Sequence, residues 1–276
     1  MGHIIDVEQA DDPRLAAYIG LREAALRRGP DSGSFIAEGP LVIRRAVAAG
    51  CTPLSFLLTP RWTDELADVW SAAEAPVFRV SNRLAEAITG FHVHRGALAA
   101  LRRPAHCPLD DLLTVDRLVV AEDLVDHANV GAIVRSAAGL GWDGLLITAG
   151  TADPLYRRAV KTSMGAVFDL PWARLPPGQP ATPLLRAAGF LSIALSPQPG
   201  ALTLDEVRRR YGHASPSPRR LALLCGSEGP GLSSETMAAA DVIAGVPMAR
   251  SVDSLNVAAA AAVACYILGP VGDPAV

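Results

Sequence analysis

The stretch Leu118-Val-Val-Ala-Glu-Asp-Leu-Val-Asp-His-Ala-Asn-Val-Gly-Ala-Ile-Val-Arg-Ser-Ala-Ala-Gly-Leu-Gly-Trp-Asp-Gly-Leu-Leu-Ile-Thr148 decides the fold class. It opens on a short apolar run, Leu118–Ala121, that suits a strand buried on both faces. Apolar residues then recur at helical spacing over Val130–Leu140, and Gly141 closes the pattern. A second apolar run, Gly144–Thr148, follows at once. Strand, helix and strand within about thirty residues form a βαβ unit and predict a parallel sheet.

The same alternation extends in both directions. Downstream, helices are predicted at Pro154–Ser163, from Leu184–Ala188 onward, at Leu204–Arg210 and at Leu255–Leu268. Strands are predicted at Ala166–Leu170, Phe190–Leu195, Leu221–Cys225 and Asp241–Val246, with a Pro-rich loop over Pro171–Pro183. Upstream, residues 12–28 read as an amphipathic helix capped by Asp12, with Pro13 in its first turn. Strands at Ser34–Glu38, Leu54–Leu58, Val77–Val80 and Gly96–Leu101 then alternate with helices at Pro40–Ala49, Thr63–Ala73 and Asn82–Ile88. Arg102–Asp111 has two prolines and no periodicity, so the domain boundary falls near residue 108. The reading is α/β throughout, with a domain over 1–108 and a second over 109–276.

A length of 276 residues agrees with two domains. The formal charge of −3 excludes a protein held on nucleic acid by bulk charge, so any such contact needs a local patch. Residues 1–108 carry 12 basic and 12 acidic groups, and 109–276 carry 13 and 16. Cys51, Cys107, Cys225 and Cys265 are too scattered for a disulfide scaffold or a structural zinc site and read as reduced thiols. The N-terminal residues lack the basic-then-apolar order of a secretory leader, and Leu255–Leu268 is too short to span a bilayer about 30 Å thick. A cytoplasmic protein with no membrane partner is expected.

Three loops at predicted strand ends carry the candidate chemistry. In Asp126–Arg135, Asn129 occupies an N-cap position, Gly131 opens space beside the first turn, and Arg135 follows on the same helix. In Leu223–Ser233, three glycines within six residues, Gly226, Gly229 and Gly231, make a turn with exposed backbone N–H groups around Glu228. In Val246–Val257, Ser254 or Asp253 can cap the last helix. Asn256, a poor helix former just inside it, has an amide to spend elsewhere. Each loop alone also reads as ordinary capping or a plain glycine turn. Neither G-x-G-x-x-G nor G-x-x-x-x-G-K-[ST] occurs, which argues against a Rossmann oxidoreductase and a P-loop enzyme.

Taken together, N-x-G-x-x-x-R, G-x-E-G-x-G-L and P-M-x-x-x-x-x-S-L-N resemble the three signature motifs of the SpoU (TrmH) family of RNA ribose 2′-O-methyltransferases, in the SPOUT superfamily. Arg157–Pro171 is similar to the family's segment between its first two motifs. Phe35–Gly39 and Arg95–Ala99 resemble its N-terminal substrate-binding domain. The resemblance implies a C-terminal trefoil-knotted methyltransferase domain after a small ribosomal-protein-like RNA-binding domain. It also implies a homodimer and S-adenosylmethionine as cofactor. Gly226, Val246, Leu255, Ser254 and Met248 match cofactor-loop positions, while Asn129, Arg135, Glu228 and Asn256 match the polar active-site positions. His127 after Asp126, Ser227, and Arg250 where the family usually has glycine depart from the pattern.

The implied substrate is RNA, with ribosomal RNA favoured over transfer RNA; a non-catalytic RNA-binding relative is the other reading. The family mechanism makes Arg135 a general base, yet a guanidinium normally only donates hydrogen bonds, so an orienting role stays open. His92, His94, His106 and Cys107 lack accompanying carboxylates, and no metal is expected. Arg14, Arg22, Arg27, Arg28, Arg44 and Arg45 form one candidate RNA patch, and Arg208–Arg210 with Arg219 and Arg220 another.

Overall fold

A computed structural model describes residues 2–21, 33–91, 96–105, 107–212, 215 and 219–270. The chain divides into two compact units, Met1–Ala105 with Leu155–Phe168, and His106–Pro154 with Asp169–Val276.

The first unit runs β1 (His3–Asp6), β2 (Ser34–Glu38), α1 (Pro40–Ala48), β3 (Pro53–Leu58), α2 (Pro60–Glu65), α3 (Ala67–Trp70), β4 (Pro76–Arg79), α4 (Asn82–Thr89) and β5 (Ala97–Arg102). Its mixed sheet has the order β1-β4-β3-β5-β2. Pairing is parallel among β1, β4 and β3, and antiparallel where β5 joins β3 and β2. One face buries Ile36, Leu57, Phe78 and Leu98 against Leu15, Tyr18 and Ile88.

The helix expected over 12–28 is corrected in its described part. It is a single 3-10 turn, Pro13–Leu15, followed by turns to residue 21, and residues 22–28 lie outside the described residues. Asp12 does cap it, accepting from the Arg14 N–H at 2.9 Å. Tyr18 ties the segment to the sheet: its fully buried hydroxyl meets Ser55 Oγ at 2.8 Å and accepts from the Ala100 N–H at 3.2 Å. The helix expected over Thr63–Ala73 starts earlier and breaks into α2 and α3 at Leu66.

The second unit continues with α5 (Leu109–Leu112), β6 (Arg117–Ala121), α6 (His127–Gly139) and β7 (Gly144–Ile147). The chain then supplies α7 (Arg157–Thr162) to the first unit and returns for β8 (Trp172–Arg174), α8 (Ala181–Ala187), β9 (Phe190–Leu195) and β10 (Leu202–Thr203). It ends with α9 (Leu204–Tyr211), β11 (Arg220–Cys225), α10 (Ser234–Ala239), β12 (Val242–Gly245) and α11 (Val257–Leu268). Its seven strands are all parallel, ordered β10-β12-β9-β11-β6-β7-β8. The central strands β6 and β11 are buried along almost their whole length, as their unbroken apolar runs require.

Two expectations fail between β7 and β9. Ala166–Phe168 is a 3-10 turn instead of a strand, and β8 lies inside the stretch read as a Pro-rich loop. Burial of Trp172 and the hydrogen bond from the Leu175 N–H to Ile147 O at 2.8 Å override the local proline content. The sequence division kept 155–168 with the second half. In the structure this segment folds with the first unit, where Phe168 stacks 5.5 Å from Phe35 and α7 pairs with buried Glu38. No helix among the described residues is long and apolar enough to cross a membrane.

Candidate active site

Ligands in parallel α/β sheets collect outside the carboxyl ends of the strands. Here the segments leaving β9, β11 and β12 enclose a cleft of about 620 Å³ in the second unit, a size that suits a small-molecule ligand. Gly226 and Glu228 line it from the loop after β11. Val246, Met248, Ser254, Leu255 and Asn256 line it from the loop after β12. Leu195, Ser196 and Pro197 close the third side and were not singled out from the sequence; nothing in that turn marks it before the strands are assembled. Cys225 lies at the cleft too, and burial pushes its thiol up to about 12, so it stays protonated and non-nucleophilic.

The glycine loop is built by self-contact. The Gly231 N–H donates to Ser227 O at 3.0 Å, with Gly229 and Gly231 at φ +92° and +75°. A Cβ on Gly226 would lie 2.2 Å from Gly231 C and Leu232 N, so this glycine admits the loop's own returning backbone. The loop's exit is anchored by Glu122, a buried carboxylate at the end of β6 that sequence reasoning passed over. It accepts from the Ser233 N–H at 2.7 Å and from the Thr236 hydroxyl at 2.5 Å. An acidic residue directly after a fully apolar strand was the available signal.

At the rim, three of the predicted polar residues meet. Asn256 Nδ2 donates to Glu228 Oε1 at 2.6 Å and to Asn129 Oδ1 at 3.1 Å, and Asn129 Nδ2 donates to the same Glu228 oxygen at 2.9 Å. Glu228 Oε2 accepts nothing from a described residue. The local helix ends explain the arrangement. Asp126, not Asn129, caps α6 by accepting from the Ala128 N–H at 2.8 Å, which leaves Asn129 in the first turn with its amide turned to Glu228. Asn256 is itself the cap of α11, in place of Ser254 or Asp253: its Oδ1 accepts from the Ala258 and Ala259 N–H groups while its Nδ2 joins the cluster.

Arg135 stands apart. It is exposed on α6, does not line the cleft, and has no hydrogen bond or ion pair among the described residues. Arg250, in the loop after β12, is exposed with φ +61°, a left-handed backbone that an L side chain adopts at a cost. Among the described residues no group of three or more His, Cys, Asp and Glu is arranged to hold a metal. His92, His94 and His106 lie outside the described residues, as do Arg22, Arg27 and Arg28 of the first basic patch.

The SpoU rRNA methylase family model matches residues 116–266, more than half of the chain and the whole of this cleft's framework. The chain belongs to the SpoU rRNA methylase family. An uncharacterized tRNA/rRNA methyltransferase of Mycobacterium bovis is 40% identical over 264 residues, covering 95% of this chain and 90% of that protein. A 23S rRNA (guanosine-2′-O)-methyltransferase of Bacillus subtilis is 29% identical over 165 residues, covering 59% of this chain and 62% of its own. Among solved structures, an AdoMet-bound rRNA methyltransferase from Sinorhizobium meliloti superposes with a TM-score of 0.78 at 25% identity, over 96% of this chain and 97% of that one. This SpoU family member therefore has the α/β fold of RNA methyltransferases along nearly its full length.

Proposed function

We propose that this protein transfers the methyl group of S-adenosylmethionine to a ribose 2′-hydroxyl of ribosomal RNA, working as a cytoplasmic homodimer. The observation that carries the reading is the Asn129–Glu228–Asn256 cluster at the rim of a cleft made by the second and third motif loops. The donor set fits the cofactor. Val246, Met248 and Leu255 offer apolar walls and backbone groups for adenine, and the carboxylates of Glu228 and Asp253 suit a cationic sulfonium centre. When bound, the cofactor supplies an electrophilic methyl group whose carbon–sulfur bond breaks as a carbon–oxygen bond forms.

The protein's part is positioning and proton handling. Two amides pin one oxygen of Glu228, which fixes the direction of its open oxygen. A carboxylate accepts protons where a guanidinium does not, so Glu228 is the group in the cluster suited to take the hydroxyl proton. Arg135 then orients the ribose and its phosphate through its planar fork. Since Arg135 does not line its own cleft, we assign it to the cleft of a second copy. The outward face of α11 supports that dimer. Tyr266 is 55% exposed, beside exposed Ala259 and half-buried Ala262 and Val263, on a helix that packs against α6.

The 2′-hydroxyl target has its support in the Bacillus subtilis relative, and the Sinorhizobium meliloti protein supports both the ribosomal substrate and the cofactor. Mapping ribose methylation in ribosomal and transfer RNA of a deletion strain tests the assignment. Loss of one ribosomal 2′-O-methyl group supports it, and loss confined to transfer RNA transfers the activity to that substrate.

A further inference from the structure

Away from the cleft, charge gathers on the first unit. Glu38, at the end of β2, is 5% exposed, and both its oxygens are taken: Arg157 donates to one and Lys161, the chain's single lysine, to the other. The Arg157 guanidinium also lies 4.2 Å over the Phe91 ring. The far end of the segment is closed by Arg45, which donates to Met164 O at 2.8 Å. One buried carboxylate is neutralised by one cation; here it holds two, and the surplus faces solvent. The Lys161 side chain is 47% exposed, and Arg158 is exposed one turn before it on α7.

The charge balance of the units turns on this segment. Residues 1–105 hold 12 basic and 12 acidic groups, and 155–168 add three basic and no acidic ones. The first unit thus carries +3, leaving −6 on the second. All of the first unit's net positive charge arrives with a piece of chain inserted between two strands of the other sheet.

We propose that α7 is a phosphate-contact element for RNA, with Arg158 and Lys161 meeting the sugar–phosphate backbone and Glu38 and Phe91 holding the helix through Arg157. The proposal rests on the RNA reading above and adds the surface that grips the substrate. Arginine supplies a planar fork for phosphate oxygens and lysine a mobile point charge, so the pair holds a backbone without reading sequence.

The test is binding of labelled total ribosomal RNA by the full-length protein over a salt series, for the wild type, Arg158→Gln, Lys161→Gln and the double variant. Removing one cation that meets a phosphate lowers the slope of log K against log salt by about 0.7 to 0.9. The double variant is expected to lower it by about 1.5, with each single variant giving roughly half of that. S-adenosylmethionine affinity by calorimetry is expected to stay at the wild-type value in all three. Arg158→Gln leaves the Glu38 pairs intact, so its result does not depend on whether the Lys161 variants fold. An unchanged slope in Arg158→Gln and the double variant, with wild-type binding present, overturns this proposal alone. Absence of RNA binding by the wild type overturns the RNA reading beneath it.

Discussion

Arg135 and Arg250 are both exposed and lie outside the cleft lining, yet each bears on the site in a different way. Arg135 is exposed and makes no hydrogen bond or ion pair with a described residue of its own chain, so as plain surface it is expendable. The account predicts the opposite for activity. Arg135→Ala abolishes methyl transfer while S-adenosylmethionine affinity stays within about twofold and stability within about 0.5 kcal/mol. Arg135→Lys also fails, since an ammonium lacks the fork. Activity assays beside calorimetry check this, and substantial turnover by either variant removes Arg135 from the chemistry. Arg250 gives a stability prediction. A left-handed L residue costs roughly 1–2 kcal/mol, and glycine regains that at about 0.5–1 kcal/mol of unfolded-state freedom. Arg250→Gly is therefore expected to gain about 0.5 kcal/mol in denaturant unfolding, and a loss above about 1 kcal/mol contradicts the backbone assignment. The departure at this position was legible in the sequence; its strained φ was not, because no local pattern distinguishes a tolerated arginine from a relaxed one.

At the scale of elements, the loop after β11 depends on contact with itself. Gly226→Val forces Gly231 and Leu232 out of the returning turn, which moves Glu228 off its amides. The sheet beneath does not depend on that turn. The expected result is a folded protein, by far-ultraviolet circular dichroism, with S-adenosylmethionine affinity lowered at least tenfold, about 1.4 kcal/mol or more. Wild-type affinity in the folded variant means the second loop does not hold the cofactor. Most strands and long helices were legible because their apolar periodicity is strong, as in β6, α6 and β11. The failures share a cause. The 12–21 segment, β8 and the Ala166–Phe168 turn are set by distant partners, namely Ser55 and Ala100 for Tyr18, β7 for β8, and Phe35 for Phe168. Cap positions moved for a related reason. The caps fall on Asp126 and Asn256, each within a turn of the residue expected, and only the assembled cluster shows which side chain caps and which bridges.

At the scale of the molecule, the reading requires two copies. The protein is expected to run as a dimer in light scattering at micromolar concentration. Tyr266→Asp, on the exposed face of α11, is expected to shift it toward monomer and to lose activity in parallel. A wild-type monomer with full activity contradicts the assignment of Arg135 to a partner's cleft. The motif triplet made the family legible, since three loops far apart in sequence had to match at once. The insertion of 155–168 into the first unit was not legible, because a chain excursion leaves no periodicity of its own. The measurement that bears most directly on the whole account is tritium transfer from labelled S-adenosylmethionine into ribosomal RNA of a strain lacking the protein, followed by digestion to nucleosides. The account predicts label in a single 2′-O-methylated nucleoside with the wild type and none with Arg135→Ala. Label on a base, or no transfer to any RNA, would contradict it.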